Sequence, residues 1–382
     1  MNLKKTVSFC FLIIMLLTSL LIINNILTPN RRNEFTTSAT RFNLIFNEYY
    51  AYNHIVSQLN FGYRVPGTSA HDNCSEWIEN QLISISDTVL VQNFTIQKEN
   101  QSSYECQNIL GKLNTEKANI VIFGAHWDSR NVAEKDVNNR TQPIPGANDG
   151  GSGVGVLIEL ARILSLYKDS LDCQVWFLLI DAEDQGQSRG MYGLEGWGWA
   201  EGSKEFVNNI DSFYVSSAED IECFILLDMV GGTDLQFIKE YRSDEDLHQA
   251  IFNEGRKIGY NIVFPLNPKR MTILDDHVAF ANEGIAVIDL IIDFSGGNWT
   301  YHHTSSDDLN NIDQESLGIT GRTVESFIKI YYTLGDNTTW RGDKTTSVSS
   351  SFLISIFTLY IVLIVITAIR RIGRTQINKK KN

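Results

Sequence analysis

The stretch that decides the fold runs from Asn119 to Leu164. It opens with a buried strand that ends in a histidine and an aspartate, and it reads Ile120-Val121-Ile122-Phe123-Gly124-Ala125-His126-Trp127-Asp128. After a polar loop, a glycine-rich turn begins an apolar helix, and this turn reads Gly146-Ala147-Asn148-Asp149-Gly150-Gly151-Ser152-Gly153. Imidazole and carboxylate groups are ligands that zinc accepts, and glycine lets the backbone turn tightly. The stretch therefore favours a metal site, although a phosphate-binding loop or a plain turn would use such glycines too.

Strands and helices alternate along the rest of the chain. Continuous apolar runs, which are typical of strands buried on both faces of a sheet, occupy residues 175–180, 224–227 and 285–292. Helical patterns lie between and after them, at residues 154–164, 204–208, 244–258 and 314–332. Nearer the N-terminus, the pattern predicts helices over residues 37–60 and 68–85 and strands over residues 89–96 and 106–113. This alternation predicts an α/β fold built on a central sheet.

An acid or a histidine follows each apolar strand. In chain order these residues are His126 and Asp128, Glu183 and Asp184, Asp228, and finally His302, His303 and Asp307. The carboxyl ends of parallel strands meet at one edge of a sheet, where the sites of such folds gather. Burying several carboxylates together is costly unless a cation offsets their charge. The pattern therefore favours zinc over a set of unrelated polar turns.

The overall charge argues against one broad class of function. The chain has 382 residues, 43% of them apolar, and a formal net charge of −13. The apolar content is enough for a substantial core, whereas the negative charge without a basic face argues against binding to nucleic acid.

Both ends of the chain carry an apolar run long enough to cross a bilayer as a helix. Residues 7–27 follow Lys4 and Lys5, and residues 352–369 precede a basic tail over residues 370–382. The positive-inside rule places both termini in the cytoplasm. We therefore expect one transmembrane helix at each end, with the intervening part on the extracytoplasmic side of the membrane, either extracellular or lumenal.

The part between the two apolar runs divides into an α/β domain over residues 37–335 and a polar linker over residues 336–351. The N-terminal anchor occupies residues 1–36, for which a cleaved signal peptide is the alternative. A glycoprotein is expected, because all the Asn-x-Ser/Thr sequons fall between the apolar runs. They begin at Asn73, Asn93, Asn100, Asn139, Asn298 and Asn337.

The cysteines fit an extracytoplasmic location. Cys74 and Cys106 could pair in an oxidising compartment, whereas Cys173 and Cys223 begin apolar strands and are expected to be buried thiols. Cys10 lies in the first apolar run.

Taken together, the motifs resemble those of one metallopeptidase family that contains zinc aminopeptidases and glutaminyl cyclases. The motifs, in the family's order and approximate spacing, are His126-Trp-Asp128, Asn148-Asp149-Gly150, Glu183-Asp184, Asp228-Met229 and His303-Thr304, with Arg64-Val-Pro-Gly67 upstream. The resemblance covers about residues 40–334. It implies an α/β/α sandwich with a central mixed, mostly parallel sheet and helices on both faces.

The resemblance also implies roles for individual residues. Asp149, Asp184 and His303 are expected to bind zinc, and Glu183 is expected to be the general acid/base. His302 is the alternative to His303, which is preferred because the family's ligand directly precedes a threonine. In the aminopeptidases, the positions of His126 and Asp228 complete a second metal site; the cyclases retain them but bind a single zinc. One zinc is therefore expected, and two remain an alternative.

The segment Leu274-Asp275-Asp276-His277 favours a cyclase over an aminopeptidase. The cyclases resembled here carry Asp-Asp-His at this place, where the first Asp joins the hydrogen-bond network of the catalytic acid, whereas the aminopeptidases usually carry Ser-Asp-His. We therefore expect Glu183, Asp228 and Asp275 to act together. The expected reaction converts the N-terminal glutamine of peptides or proteins to pyroglutamate and releases ammonia. The alternatives are a zinc aminopeptidase, in which Asp275 merely caps a loop, and a membrane-held binding module that has lost catalysis, against which the retained ligands and Glu183 argue.

We expect aromatic side chains to line one wall of the substrate pocket. Animal cyclases have a tryptophan immediately before the zinc-binding histidine, where this chain has His302. Trp299, Tyr301 and Trp197 are predicted to replace it, with Trp199 as a further candidate.

Overall fold

A six-stranded sheet forms the centre of the protein in a computed structural model that describes residues 43–97, 103–188, 192–336 and 338–341. Its strands are β1 (Thr88–Gln97), β2 (Ser103–Leu113), β3 (Asn119–His126), β4 (Gln174–Ile180), β5 (Asp220–Asp228) and β8 (Ala286–Ile291). They lie in the order β1-β2-β4-β3-β5-β8. The pairings β4–β3, β3–β5 and β5–β8 are parallel, and β1–β2 and β2–β4 are antiparallel. The predicted mixed, mostly parallel sheet is confirmed.

Helices cover both faces of this sheet. They are α1 (Glu48–Phe61), α2 (Ser69–Ile83), α3 (Gly151–Ser165), α4 (Glu201–Asn208), α5 (Glu245–Lys257), α6 (His277–Asn282) and α7 (Gln314–Tyr331). Short 3₁₀ turns occupy Lys168–Ser170, Ile210–Ser212 and Leu309–Asn311. Two further strands, β6 (Lys239–Glu240) and β7 (Arg270–Met271), form a small parallel ladder beside the main sheet.

The alternation of side chains along β3 shows how the two apolar layers form. Val121 and Phe123 lie in a large core with apolar residues of α1, α2, α3, α5 and α7. Ile120 and Ile122 point to the other face, into a smaller core with residues of α4 and α6. Because both faces are covered, the central strands are continuously apolar rather than alternating.

Polar side chains set where the first two helices begin. Asn47 accepts a hydrogen bond from the backbone N–H of Tyr49 at the start of α1, and Thr68 accepts one from His71 at the start of α2. Such caps satisfy backbone donors that have no partner in the helix. The helix predicted over residues 37–60 therefore begins at Glu48, and its first predicted residues, 37–42, lie outside the described part.

The structure does not contain the disulfide that Cys74 and Cys106 could form. Both residues are described and buried, but no disulfide joins them. Cys74 projects from α2 into the large core, whereas Cys106 lies on β2 in a separate small cluster with Ile96 and Trp197. The two thiols thus pack in different apolar environments. Cys173 and Cys223 are buried thiols, as predicted.

The predicted membrane segments lie outside the described residues. These segments are the anchor over residues 1–36, the span over 352–369 and the tail over 370–382; of the linker, only residues 336 and 338–341 are described. Among the helices that the structure describes, none is long and apolar enough to cross a bilayer.

Four of the six sequons are described, and in each the asparagine is exposed: Asn73, Asn93, Asn139 and Asn298. Glycosylation requires an exposed asparagine, and these four positions meet that requirement. Glycosylation itself stays a prediction.

Candidate active site and metal centre

The register of the parallel strands brings the predicted site residues to one edge of the sheet. His126 at the end of β3 pairs with Ile180 at the end of β4, and Asp228 at the end of β5 pairs with Ile291 at the end of β8. The loops that leave these four strands carry the remaining acids and histidines. The structure thus brings the predicted site residues together at the carboxyl ends of the strands.

The predicted zinc ligands meet at the side chain of His303. Its Nε2 atom lies 3.1 Å from Asp184 Oδ1 and 3.7 Å from Asp149 Oδ2. His302 also approaches, with 3.8 Å between its Nε2 atom and Asp149 Oδ2. Asp149, His302 and His303 each have a potential ligand atom within 4.8 Å of the other two. Asp184 is not in that group, but it contacts His303. The structure therefore brings together the three predicted ligands and the alternative histidine.

A second group of metal-binding side chains shares Asp149. His126 Nε2 lies 3.1 Å from Asp149 Oδ1 and 3.2 Å from Asp228 Oδ1, and one atom each from the three residues lie within 4.8 Å of one another. One oxygen of Asp149 faces His126 and the other faces His303. The carboxylate of Asp149 therefore belongs to both groups.

Two buried aspartates hold the backbone of the loops that carry the ligands. The carboxylate of Asp128 accepts hydrogen bonds from the backbone N–H groups of Glu183 (3.1 Å) and Asp184 (3.2 Å). The carboxylate of Asp307 accepts one from the N–H of Asp149 (3.1 Å) and one from the preceding residue (2.8 Å). Carboxylates bound in this way fix the loops without facing the metal position.

Glu134 orients His303, and sequence reasoning missed it. Nδ1–H of His303 donates to Glu134 Oε1 over 2.8 Å, which leaves Nε2 as the nitrogen that faces Asp149 and Asp184. Arg130 Nε donates to the other oxygen of Glu134 (2.7 Å), and Arg130 Nη1 donates to the backbone carbonyl of Asp184 (2.7 Å). The spacing of four residues between Arg130 and Glu134 is a signal for an ion pair only on a helix, and this loop has no helical pattern.

Left-handed backbone conformations mark the site loops. Ala182, directly before Glu183, has φ 58°, Met229, directly after Asp228, has φ 49°, and His303 has φ 57°. Non-glycine residues adopt this region rarely and at a cost that the surrounding structure must offset. Three such residues at one edge of the sheet indicate that the loops are shaped for the site.

Glu183, Asp228 and Asp275 form a buried acidic cluster beside the metal groups. They are 7%, 6% and 3% exposed. Burial, followed by the charge of Asp275, raises the pKa of Glu183 well above its usual value. Burial and the charge of Asp228 raise the pKa of Asp275 to about 7, and burial raises the pKa of Asp228 to about 6 although its hydrogen bond with His126 opposes this. Three acids in this state share protons rather than ionising independently.

Trp199 is the aromatic side chain that lies against the predicted ligands. Its ring stacks on that of His303 with 5.9 Å between centroids and an interplanar angle of 8°. Trp299 is 7% exposed and packs edge-to-face on Tyr301, and Trp197 lies in the small cluster with Cys106. The substrate-binding roles of Trp299, Tyr301 and Trp197 stay predictions, and Trp199, the further candidate, is the one that contacts a predicted ligand.

Comparison with known sequences decides the family. The sequence model of peptidase family M28 matches residues 108–328, which is more than half of the chain. The chain belongs to peptidase family M28. The matched residues include all six predicted ligand and catalytic positions from His126 to His303, together with Asp275, Asp128 and Glu134.

Similar proteins of known sequence or structure include both cyclases and exopeptidases. A glutaminyl-peptide cyclotransferase of Gloydius blomhoffii is 23% identical over 296 residues, which cover 71% of this chain and 78% of that protein. A crystal structure of Bacteroides thetaiotaomicron glutaminyl cyclase bound to N-acetylhistamine is 32% identical with a TM-score of 0.68, covering 75% of this chain and 99% of that chain. A Zn-dependent exopeptidase from Parabacteroides distasonis is 31% identical with a TM-score of 0.67, covering 74% and 98%.

The residues of this M28 chain fit a zinc ion. Asp149 and Asp184 are 3% and 1% exposed, and in each the Oδ2 atom has no hydrogen-bond partner in the described structure. Unpartnered oxygens of buried carboxylates are costly, and a cation between them would offset that cost. Two carboxylates and a histidine form a donor set that zinc accepts. The M28 relatives imply zinc as the metal, and the two groups around Asp149 leave room for one ion or two.

Proposed function

We propose that the protein is a zinc-dependent glutaminyl-peptide cyclotransferase that converts the N-terminal glutamine of peptides or proteins to pyroglutamate. The observation that carries the proposal is the burial of Asp275 near Glu183 and Asp228, where Asp228 raises the pKa of Asp275 and Asp275 raises that of Glu183. The similarity to glutaminyl cyclases in sequence and structure supports it.

The cyclisation consumes no water, so it requires a group that transfers a proton rather than one that activates water. The α-amine nitrogen of the substrate attacks the carbonyl carbon of its own side-chain amide, a new C–N bond closes the ring, and the original C–N bond breaks to release ammonia. The attacking amine loses a proton and the leaving nitrogen gains one. A single carboxylate can make both transfers, as a general base and then a general acid.

Glu183 is the residue proposed to move this proton. It directly precedes Asp184, and Asp128 holds the backbone N–H of both residues, so its position relative to the metal groups is fixed. The raised pKa values of Glu183, Asp228 and Asp275 suit a group that alternately takes and gives a proton near neutral pH. On this proposal, Asp228 and Asp275 share the proton with Glu183 and so keep Glu183 in a protonation state in which it can act.

Asp149, Asp184 and His303 would hold the zinc ion, with Glu134 orienting His303. When bound there, zinc supplies a Lewis acid for the oxygen of the side-chain amide. Trp199, stacked on His303, is placed to form one wall of the substrate pocket, together with the predicted Trp299, Tyr301 and Trp197.

The site is proposed to act outside the cytoplasm. Two features of the sequence support this proposal. Basic residues flank both apolar runs, and every sequon lies between these runs. On this proposal the catalytic domain is extracellular or lumenal, both termini are cytoplasmic, and the protein is embedded in the membrane at both ends.

A zinc aminopeptidase is the second candidate function. The group of His126, Asp149 and Asp228 could hold a second ion, and two metals help to generate the hydroxide that peptide hydrolysis requires. The structural similarity to a Zn-dependent exopeptidase favours the same alternative.

One assay separates the two functions. Purified full-length protein is incubated with a glutaminyl amide and a leucyl amide, and ammonia, pyroglutamyl product and free leucine are measured. We expect ammonia and pyroglutamyl product from the first substrate and no leucine from the second. Release of leucine without cyclisation of the glutaminyl substrate would establish the aminopeptidase instead. Metal analysis of the same preparation counts the zinc ions per chain.

A further inference from the structure

A second row of ionisable side chains adjoins Asp275. His277 Nε2 lies 3.1 Å from Glu240 Oε2, and His277 Nδ1 lies 3.6 Å from Asp289 Oδ2. One atom each from Asp275, His277 and Asp289 lie within 4.8 Å of one another. Glu240 and His277 are 0% exposed and Asp289 is 1% exposed. Three charged or polar groups thus connect to Asp275 without reaching solvent.

Each member of this row is held by a different element. Glu240 lies on β6, where its carboxylate accepts hydrogen bonds from the backbone N–H groups of Arg242 and of Ile273, two residues before Asp275. His277 is the first residue of α6. Asp289 lies on β8, in register with Leu226 of β5. The row therefore ties the loop that carries Asp275 to the main sheet and to the small ladder.

The burial of this row is costly for a purely structural feature. Neither carboxylate oxygen of Asp289 has a hydrogen-bond partner in the described structure. Burying carboxylates without partners is expensive, and apolar side chains of similar size would pack such a place at least as stably. A role in the chemistry of the neighbouring site accounts for residues that packing alone does not require.

Asp275 is surrounded mainly by other acids. The titratable groups that face it are Glu183 after β4, His126 on β3, Asp228 on β5, Asp289 on β8, and Asp276 and His277 at the start of α6. Most of these are acids. Asp228 raises the pKa of Asp275, and His277 opposes that effect more strongly than His126 does. His277 is thus a residue of the row that lies close to Asp275 among these acids.

We propose that His277, which lies between Glu240 and Asp289, is a positioning residue that fixes the place of Asp275 for cyclisation. The inference rests on the proposed cyclase function. His277 touches neither the substrate nor the metal on this account, and it acts through Asp275 alone.

A double-mutant cycle tests this dependence. The full-length chain is prepared as the wild type, His277→Gln, Asp275→Asn and the double variant, and kcat, KM and zinc content are measured on a glutaminyl substrate. We expect His277→Gln to lower kcat about 10- to 100-fold, the scale found for outer-shell partners, with KM and zinc content within about twofold of the wild type, since neither binding group is changed. In the Asp275→Asn background, the same substitution should change kcat by less than about twofold, because the group it acts through is gone.

Two further variants keep the test decisive. His248→Gln removes another buried histidine, on α5, that lies outside the site, and it should leave kcat unchanged. If His277→Gln does not fold, Asp289→Asn, which preserves shape, takes its place in the same cycle with the same expected non-additivity.

Three results would overturn the inference. Losses that multiply in the double variant would show that His277 acts independently of Asp275. A full kcat in both His277→Gln and Asp289→Asn would show that the row has no part in turnover. Loss of a bound metal ion from His277→Gln would make the row a metal site instead. If the wild type itself does not cyclise glutaminyl substrates, the proposed function fails first and the inference falls with it.

Discussion

Glu183 combines the properties of a proton carrier at a single residue. It is 7% exposed, its backbone N–H is bound by Asp128, and its pKa is raised by burial and by Asp275. The adjacent Asp184 has a different environment, since its side chain faces His303 at 3.1 Å. Two neighbouring acids are thus assigned to proton transfer and to metal binding by what each one contacts.

This division predicts different failures for substitutions at the site. Glu183→Gln should keep zinc and lower kcat by about 10²–10⁴-fold, the usual cost of removing a general acid/base. His303→Ala and Asp184→Ala should lose zinc and activity together. Metal analysis alongside kinetics distinguishes these outcomes. Full zinc content in His303→Ala would move the ligand to His302 or end the assignment.

Glu134 gives a prediction that the sequence alone did not. Glu134→Gln removes the charged acceptor of His303 Nδ1–H, so zinc affinity should fall about 10- to 100-fold while the fold stays intact. Competition with a chelator measures the affinity. Glu283→Gln, at an exposed position, is the matched control and should bind zinc like the wild type. Equal zinc affinity in both variants would show that Glu134 does not orient His303.

The convergence of site residues could be predicted where these residues directly follow an apolar strand. His126, Asp184 and Asp228 come at or just after the ends of apolar runs, so their convergence could be predicted from the sequence. Glu134 could not, because it lies in an irregular loop whose path only the folded chain defines. Trp199 was left as an alternative for the same reason.

At the scale of elements, the start of α3 shows how the sheet positions a ligand. Asp149 lies two residues before α3, and Gly153 in its first turn packs directly on the end of β5. A Cβ atom at Gly153 would lie 2.0 Å from the carbonyl oxygen of Leu227, a separation that no real packing allows. Glycine at position 153 therefore permits close approach of helix and strand.

Gly153→Ala should consequently destabilise the protein and loosen the metal site. Overpacking of this kind costs about 1–3 kcal/mol, and the displacement of α3 should weaken zinc binding through Asp149. Denaturant unfolding and zinc affinity are measured together. Ser165→Ala, in the last turn of the same helix, should change neither. A stable Gly153→Ala with normal zinc affinity would contradict the packing argument.

Element boundaries were predictable where periodicity is strong and were missed where it is weak. The helices that cover the sheet and the central strands follow from hydrophobic patterns. The six-residue helix α6 is too short for a periodic signal, although it carries His277. The supposed pairing of Cys74 with Cys106 failed because residue spacing does not show that the two thiols lie in different apolar clusters.

At the scale of the whole molecule, the α/β fold brings the described site residues to one edge of the sheet. The order of strands could not be derived from the sequence, because the insertion of β4 between β2 and β3 is a long-range pairing. The proposed location of the domain at a membrane rests on the two apolar ends, which lie outside the described residues.

The proposed topology predicts a specific pattern of proteolysis. Protease added to intact cells, or to sealed vesicles with the extracytoplasmic face outward, should digest the catalytic domain and spare both termini, since basic residues flank the two apolar runs on the cytoplasmic side. Epitope tags at each terminus report the outcome. Protection of the catalytic domain, with digestion of either terminus, would contradict the topology.

The most direct test of the central claim compares wild type and Asp275→Ser on paired glutaminyl and leucyl amides, with zinc content measured in both. The claim is that the buried cluster of Glu183, Asp228 and Asp275 directs the proton of the substrate amine rather than that of water. We predict that the wild type releases ammonia and forms pyroglutamyl product, and that Asp275→Ser keeps its zinc but loses most of this activity. Leucine release by the wild type with no cyclisation, or unchanged cyclisation by Asp275→Ser, would contradict the claim.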